Sequence, residues 1–108
     1  MRVKEYLHLA RSQRRFGHLL ASKYGLHFDP QYLNLYFQSV RVLSFYETKI
    51  NIFFYRNRFA DTLSFTTCDI DLENSTIPEL LDEDIQEAIS TIQAVSYTHL
   101  TLPTIYTV

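Results

Sequence analysis

All ten lysines and arginines of this 108-residue chain lie between Arg2 and Arg58, and beyond residue 60 there are nine acids and no base. The first stretch carries only Glu5, Asp29 and Glu47 in return, so a formal charge of −2 joins a strongly positive half to a strongly negative one. A chain this short forms one small domain around one core, which brings the halves within reach of each other. Two arrangements follow from that constraint. The halves attract each other inside the fold, or the basic half presents a face to nucleic acid or to an acidic partner.

An apolar fraction of 46% with 15% aromatics argues for a packed core and against intrinsic disorder. The start, Met1 to His8, lacks the apolar run of a secretory signal, and no later window reaches the length of a membrane span, so the expectation is a cytoplasmic chain with no membrane contact. The single cysteine, Cys68, has no partner for an internal disulfide and no Cys or His neighbour at metal-ligand spacing. It reads as a buried strand thiol.

Val3, Tyr6, Leu7, Ala10, Phe16, Leu19, Leu20 and Tyr24 recur mostly every three or four residues, which predicts an amphipathic helix over Val3 to Tyr24 with Gly25 as its stop. Arg11 to Arg15 interrupts the apolar stripe, so the helix should be wet and positive there, or kinked. Asp29-Pro30 has the chemistry of an N-cap followed by proline at the first helical position, and Leu33, Tyr36, Phe37, Val40 and Leu43 then continue at helical spacing. A second helix is expected from Pro30 to about Tyr46, although Val40, Val42 and Phe45 also suit a strand. Alternation predicts a strand pair over Lys49 to Tyr55 and Thr62 to Leu72, with a bulge near Thr66-Thr67 where the apolar phase changes. A capping box at Thr76 and Glu79 opens the cleanest apolar stripe, Ile77, Leu80, Leu81, Ile85, Ala88, Ile89 and Ile92, and predicts a helix from Pro78 to Gln93. The expected fold is a small single α+β domain of order α-α-β-β-α over residues 1–94, an antiparallel strand pair with helices.

The remaining stretch, Val95-Ser-Tyr-Thr-His-Leu-Thr-Leu-Pro-Thr104, has no charge and no continuity with the helix before it. It resembles a translated Nextera-type transposase sequencing adapter, whose read GTC TCT TAT ACA CAT CTG ACG CTG CCG ACG encodes those ten residues without a mismatch. Ala94 fits the preceding adapter bases, Ile105 to Thr107 fit an A followed by a variable index, and Val108 fits the GTG that precedes the adapter's TAG. The resemblance implies that residues 95–108 are a non-native tail, weakly packed if ordered, and that the natural protein continues past Gln93. Residues 1–94 carry no family signature.

Chemistry is sparse in the native part. His8 and His18 fall on different sides of one helix and His27 lies in a loop, so no metal set is expected among them. Asp69, Asp71 and Glu73 alternate and on one strand would share a face, but the stretch lacks the glycine and closing glutamate of a calcium loop, and a solvated strand end is the better reading. Asn34 to Ser39 resembles a potyviral protease site without its glutamate, and Ser12, Ser22 and Ser39 have no nucleophile-elbow context. With two glycines a phosphate-binding loop cannot form. No catalytic, metal or cofactor site is expected. The leading expectation is an interaction or accessory module, with a protein partner or self-association. A nucleic-acid module is the alternative, using Arg11, Arg14, Arg15 and Lys23 on the first helix and Arg56 and Arg58 beside Tyr55 and Phe59. An enzyme fragment whose site lies beyond Gln93 is a third class.

Overall fold

The computed structural model describes residues 2–107 apart from 57–61 and 75, with the side chains of 62–63 and 95–107 outside the described set. Its element order is α1 (Val3–Tyr24), β1 (His27–Asp29), β2 (Asn34–Phe37), β3 (Val40–Tyr46), β4 (Lys49–Tyr55), β5 (Thr62–Asp69) and α2 (Glu79–Thr107). The five strands form one antiparallel meander in sequence order, with neighbours in the chain paired in the sheet. The α+β class holds, but the α-α-β-β-α order is corrected, because the expected second helix is β2 and β3.

Asp29-Pro30 turns the chain as its chemistry implies, but for a single turn. Asp29 Oδ1 accepts the N–H groups of Gln31 and Tyr32 at 2.9 and 3.4 Å, and the Leu33 N–H bonds back to the Asp29 carbonyl at 2.8 Å. That single turn ends where Leu33 takes a positive φ of 58° and gives its carbonyl to the Phe45 N–H. Gln38 and Ser39 then both adopt positive φ, 50° and 66°, the geometry of a two-residue hairpin turn that matches strand twist. Such turns favour Asn-Gly, so Gln-Ser hides the hairpin from sequence reasoning. The flanking β-branched and aromatic residues win once the chain reverses there.

α1 begins with the Glu5 carboxylate accepting the Arg2 N–H at 3.4 Å, and ends at Gly25, whose left-handed φ of 68° lets the Leu26 N–H reach the Ala21 carbonyl at 2.9 Å. The interrupted stripe is wet and positive at its arginines, as expected, but not at the two residues between them. The helix is continuous, Arg11 and Arg14 are exposed, and Ser12 and Gln13 turn inward at 2% and 7% exposure. The cost of burying two polar side chains is offset by partners for both, Glu73 for Ser12 and the Glu47 carbonyl for Gln13. Val3, Tyr6 and Leu7, counted in the apolar stripe, are exposed.

Both helices cover one face of the sheet. Register places Phe28, Leu35, Leu43, Ile52 and then Phe45 and Ile50 on that inner face, where Phe45 meets Phe16 of α1 and Phe28 edge-on at 6.4 and 6.3 Å. A register shift between Leu35 and Tyr36 leaves Val42 as an extra residue on β3, buried beside Leu43. Gly17 brings α1 close, since a Cβ there would lie 2.5 Å from the Phe28 ring. α2 packs on β3 and β4 through Leu81, Ile85, Ala88 and Ile92, all at 3% exposure or less, while Ile77 and Ile89 are half-buried and Leu80, also counted in the expected stripe, is exposed. Each large aliphatic buried this way contributes roughly 1.5–3 kcal/mol.

Three boundaries differ from expectation. β5 stops at Asp69, and Ile70 and Leu72 leave the strand to plug the core. The bulge lies between Phe54 and Tyr55 rather than at Thr66-Thr67, whose pairing with Ile52 and Asn51 is regular. The phase change arises because Phe65 points to the outer face while Cys68 points inward. Finally, α2 starts at Glu79, with the Thr76 N–H taken by Asn74 Oδ1, and runs past Gln93. No glycine or proline occurs between Pro78 and Pro103, so nothing in the chain stops the helix at Gln93. The packing expected of residues 95–108 lies outside the described residues. No described helix is long and apolar enough to cross a membrane.

Candidate functional site

The charge halves meet along α1. His8 Nε2 lies 2.6 Å from Glu73 Oε1, Ser12 Oγ donates to the same oxygen at 3.3 Å, and Arg15 Nη2 donates to the Leu72 carbonyl at 2.7 Å. At the far end of the helix the Tyr24 hydroxyl donates to Asp82 Oδ1, with Lys23 Nζ 3.6 Å from that oxygen and Gln86 on the second one. The hydrogen bond from His8 holds the Glu73 carboxyl below the usual glutamate range, and that from Tyr24 does the same for Asp82. Burial, then Asp82, pushes the Tyr24 hydroxyl up, so it stays a donor. Basic α1 is thus clasped by the acidic segment, and five of its polar side chains, His8, Ser12, Arg15, Lys23 and Tyr24, are committed to holding the fold.

This accounts for much of the basic set expected to contact nucleic acid. Arg15 and Lys23 are tied to Leu72 and Asp82. Arg11 and Arg14 are exposed on the side of α1 away from Ser12, Phe16 and Leu20, hence facing away from the sheet. Arg56 follows β4, a strand length or ~20 Å from the β3–β4 turn that Gln13 holds. Arg58 and Phe59 lie outside the described residues. Tyr55 is a core residue, with its N–H on Thr91 Oγ1 and its hydroxyl on the Arg41 carbonyl.

The remaining titratable groups are also scattered. Asp69 ends β5, Asp71 Oδ1 accepts the Glu73 N–H, and Glu73 turns to His8, so the three carboxylates do not share a strand face. His18 packs edge-on against Phe28 at 5.0 Å, and His27 lines a shallow pocket of about 380 Å³ with Gly25, Tyr36, Gln38 and Ser39. Among the described residues no three His, Cys, Asp or Glu side chains gather as metal ligands. Cys68 is half-buried, and burial, then Asp84 and Asp69, pushes its thiol up, which makes it a poor nucleophile.

What the meander does assemble is the outer face of the sheet. Register pairs Tyr36 with Arg41 and Phe53 with Phe65, and the Arg41 side chain joins the two pairs into one row; Asn34, Ser44, Asn51 and Thr67 align in the next row, and Tyr46, Lys49 and Asp69 in a third. The Arg41 guanidinium stacks over Phe53 at 4.3 Å from the ring centre, and Phe65 leans on the other flank of Phe53 at 6.1 Å. Thr67 Oγ1 donates to Asn51 Oδ1 at 2.7 Å, and Asn34 Nδ2 to the Tyr36 hydroxyl at 3.2 Å. Phe65 is 62% exposed and Tyr46 64%. The first two rows contain no acid. Sequence reasoning missed this face because Arg41, Ser44 and Tyr46 were assigned to a helix. The alternation Lys49, Asn51, Phe53 was the one signal that could have led to it.

No family model, curated protein or solved structure matches this chain.

Proposed function

We propose that this chain is a binding module that docks a protein segment on the outer face of its sheet, through Phe65, Tyr46 and Arg41. The observation that carries this reading is two large aromatics exposed on the same face as an arginine held flat by its own ring partner. Tyr, Phe and Arg are the side chains that dominate protein interfaces, and Arg41 is positioned so that its N–H edge can meet a carboxylate. The segment it fits presents apolar side chains flanked by Asp or Glu. The dispersal of the cations favours a protein over a nucleic acid. Tracking a phosphate backbone needs a continuous basic stripe, whereas here α1 faces away and two of its bases are engaged internally. We further propose that residues 95–108 are adapter-encoded and take no part in this role. Other codons for Val95 to Thr104 in the source DNA would refute that assignment.

Selection of displayed random peptides against the full chain tests the docking reading. Enriched peptides should combine an aromatic or aliphatic residue with Asp or Glu, and should bind Phe65→Ala and Arg41→Gln at least about tenfold more weakly. The reading fails if peptide binding ignores both substitutions. It fails equally if oligouridylate or heparin binds with steep salt dependence while no peptide does.

A further inference from the structure

Among the described residues the helix layer reaches β5 only near Cys68. α2 packs on β3 and β4, and the side chains of Ser64, Phe65, Thr66 and Thr67 are exposed, although Ser64 and Thr66 point to the inner side of the sheet and Phe65 and Thr67 to the outer. β5 is also the last strand of the sheet, so among the described residues its second ladder edge has no strand beside it. Proteins usually guard such an edge with lysine, proline, a bulge or a short strand. Here Ser64-Phe-Thr-Thr-Cys68 contains no charge and no proline, is rich in strand-forming residues, and pairs regularly with β4. Among the described residues guards sit only at its two ends, the register shift opposite Tyr55 and the charge of Asp69.

We propose that the β5 edge pairs with β5 of a second copy of this chain, antiparallel about Thr66, to form a ten-stranded sheet. Ser64 to Cys68 is uncharged, so a second copy can pair with it without a clash of charge, and the placement of Asp69 selects the direction. In the antiparallel pairing, Phe65 of each copy faces Thr67 of the other, Ser64 faces Cys68, and the two Asp69 carboxylates are ~20 Å apart at opposite ends. A parallel pairing would set Asp69 beside Asp69. The two-fold arrangement uses the same patch on both copies and consumes both β5 edges, which leaves the three-residue β1 as the outermost strand at each end. It also makes the two outer faces one continuous surface. A strand edge alone buries little area, so the dimer is a weak one that dissociates on dilution.

Sedimentation of the full chain over a dilution series, with amide exchange of β5, tests this. The expected result is a reversible monomer–dimer equilibrium in which amide protection within Ser64 to Thr67 rises with concentration. Thr66→Lys and Thr66→Glu should each weaken the dimer at least about tenfold, since like charges would meet at the axis, and mixing the two variants should restore it. Circular dichroism and the thermal midpoint identify a variant that fails to fold, and restoration on mixing requires both to be folded. A monomer at every concentration up to the millimolar range overturns the proposal, as does a dimer indifferent to both substitutions. Thr66 lies on the inner side, so peptide binding that depends on Phe65 is read separately and stands or falls by itself.

Discussion

The two faces of the same sheet are built from alternate residues of the same strands and have opposite characters. On the inner face Leu35, Leu43, Ile50 and Ile52 are fully buried under two helices, and nearly every contact is apolar. On the outer face Arg41, Asn51, Phe53, Phe65 and Thr67 touch one another in stacked and hydrogen-bonded pairs while Phe65 and Tyr46 stay in water. The inner face supplies stability through area removed from water. The outer face is pre-ordered by its own side-chain contacts, which reduces the entropy lost when something docks on it.

The largest effects should come from the inner face. Ile52→Ala removes a wholly buried side chain from the middle of the sheet and should cost about 2–5 kcal/mol in urea unfolding. Gly17→Ala comes next. In an exposed helix this change stabilises, but here the new Cβ would meet the Phe28 ring, so a loss of about 1–3 kcal/mol is expected. A gain in stability would mean that α1 does not approach β1 as described. In the opposite direction, Ser39→Gly relieves a side chain held at positive φ in the β2–β3 turn and should raise stability by ~1 kcal/mol, visible as a higher thermal midpoint. A lowered midpoint would restore the helical reading of that segment.

The smallest effect concerns the clasp. Glu73 and Asp82 have depressed folded-state values, so their contribution is present above the ordinary carboxylate range and is lost as pH falls through the folded value. Glu73→Gln should lower the thermal midpoint slightly at pH 7, and its difference from the parent should vanish in acid, where the parent carboxyl is protonated too. An undiminished difference at acid pH would detach Glu73 from the His8 contact.

Much of this was legible in the chain, for identifiable reasons. α1, β4 and the buried stripe of α2 follow directly from periodicity, because each is long enough for its period to be unambiguous. The charge division was legible as well, and its internal reading is the one the His8–Glu73 and Lys23–Asp82 contacts realise. Residues 30–46 were not legible, because Leu33, Gln38 and Ser39 turn the chain with positive φ without being glycine or asparagine. A helix over residues 30–46 would take Arg41 and Tyr46 out of the sheet, and with them the outer face. A face made by register across four strands has no local spacing for sequence reasoning to detect.

The division of labour between the two faces is tested most directly by one variant measured twice. For Phe65→Ala, both the unfolding free energy and the affinity for a selected peptide are determined on the same preparation. The predicted result is stability within about 1 kcal/mol of the parent, since the ring is 62% exposed, together with at least a tenfold loss of affinity. A stability loss as large as that of Ile52→Ala with affinity unchanged would contradict the account and make the outer aromatics part of the core.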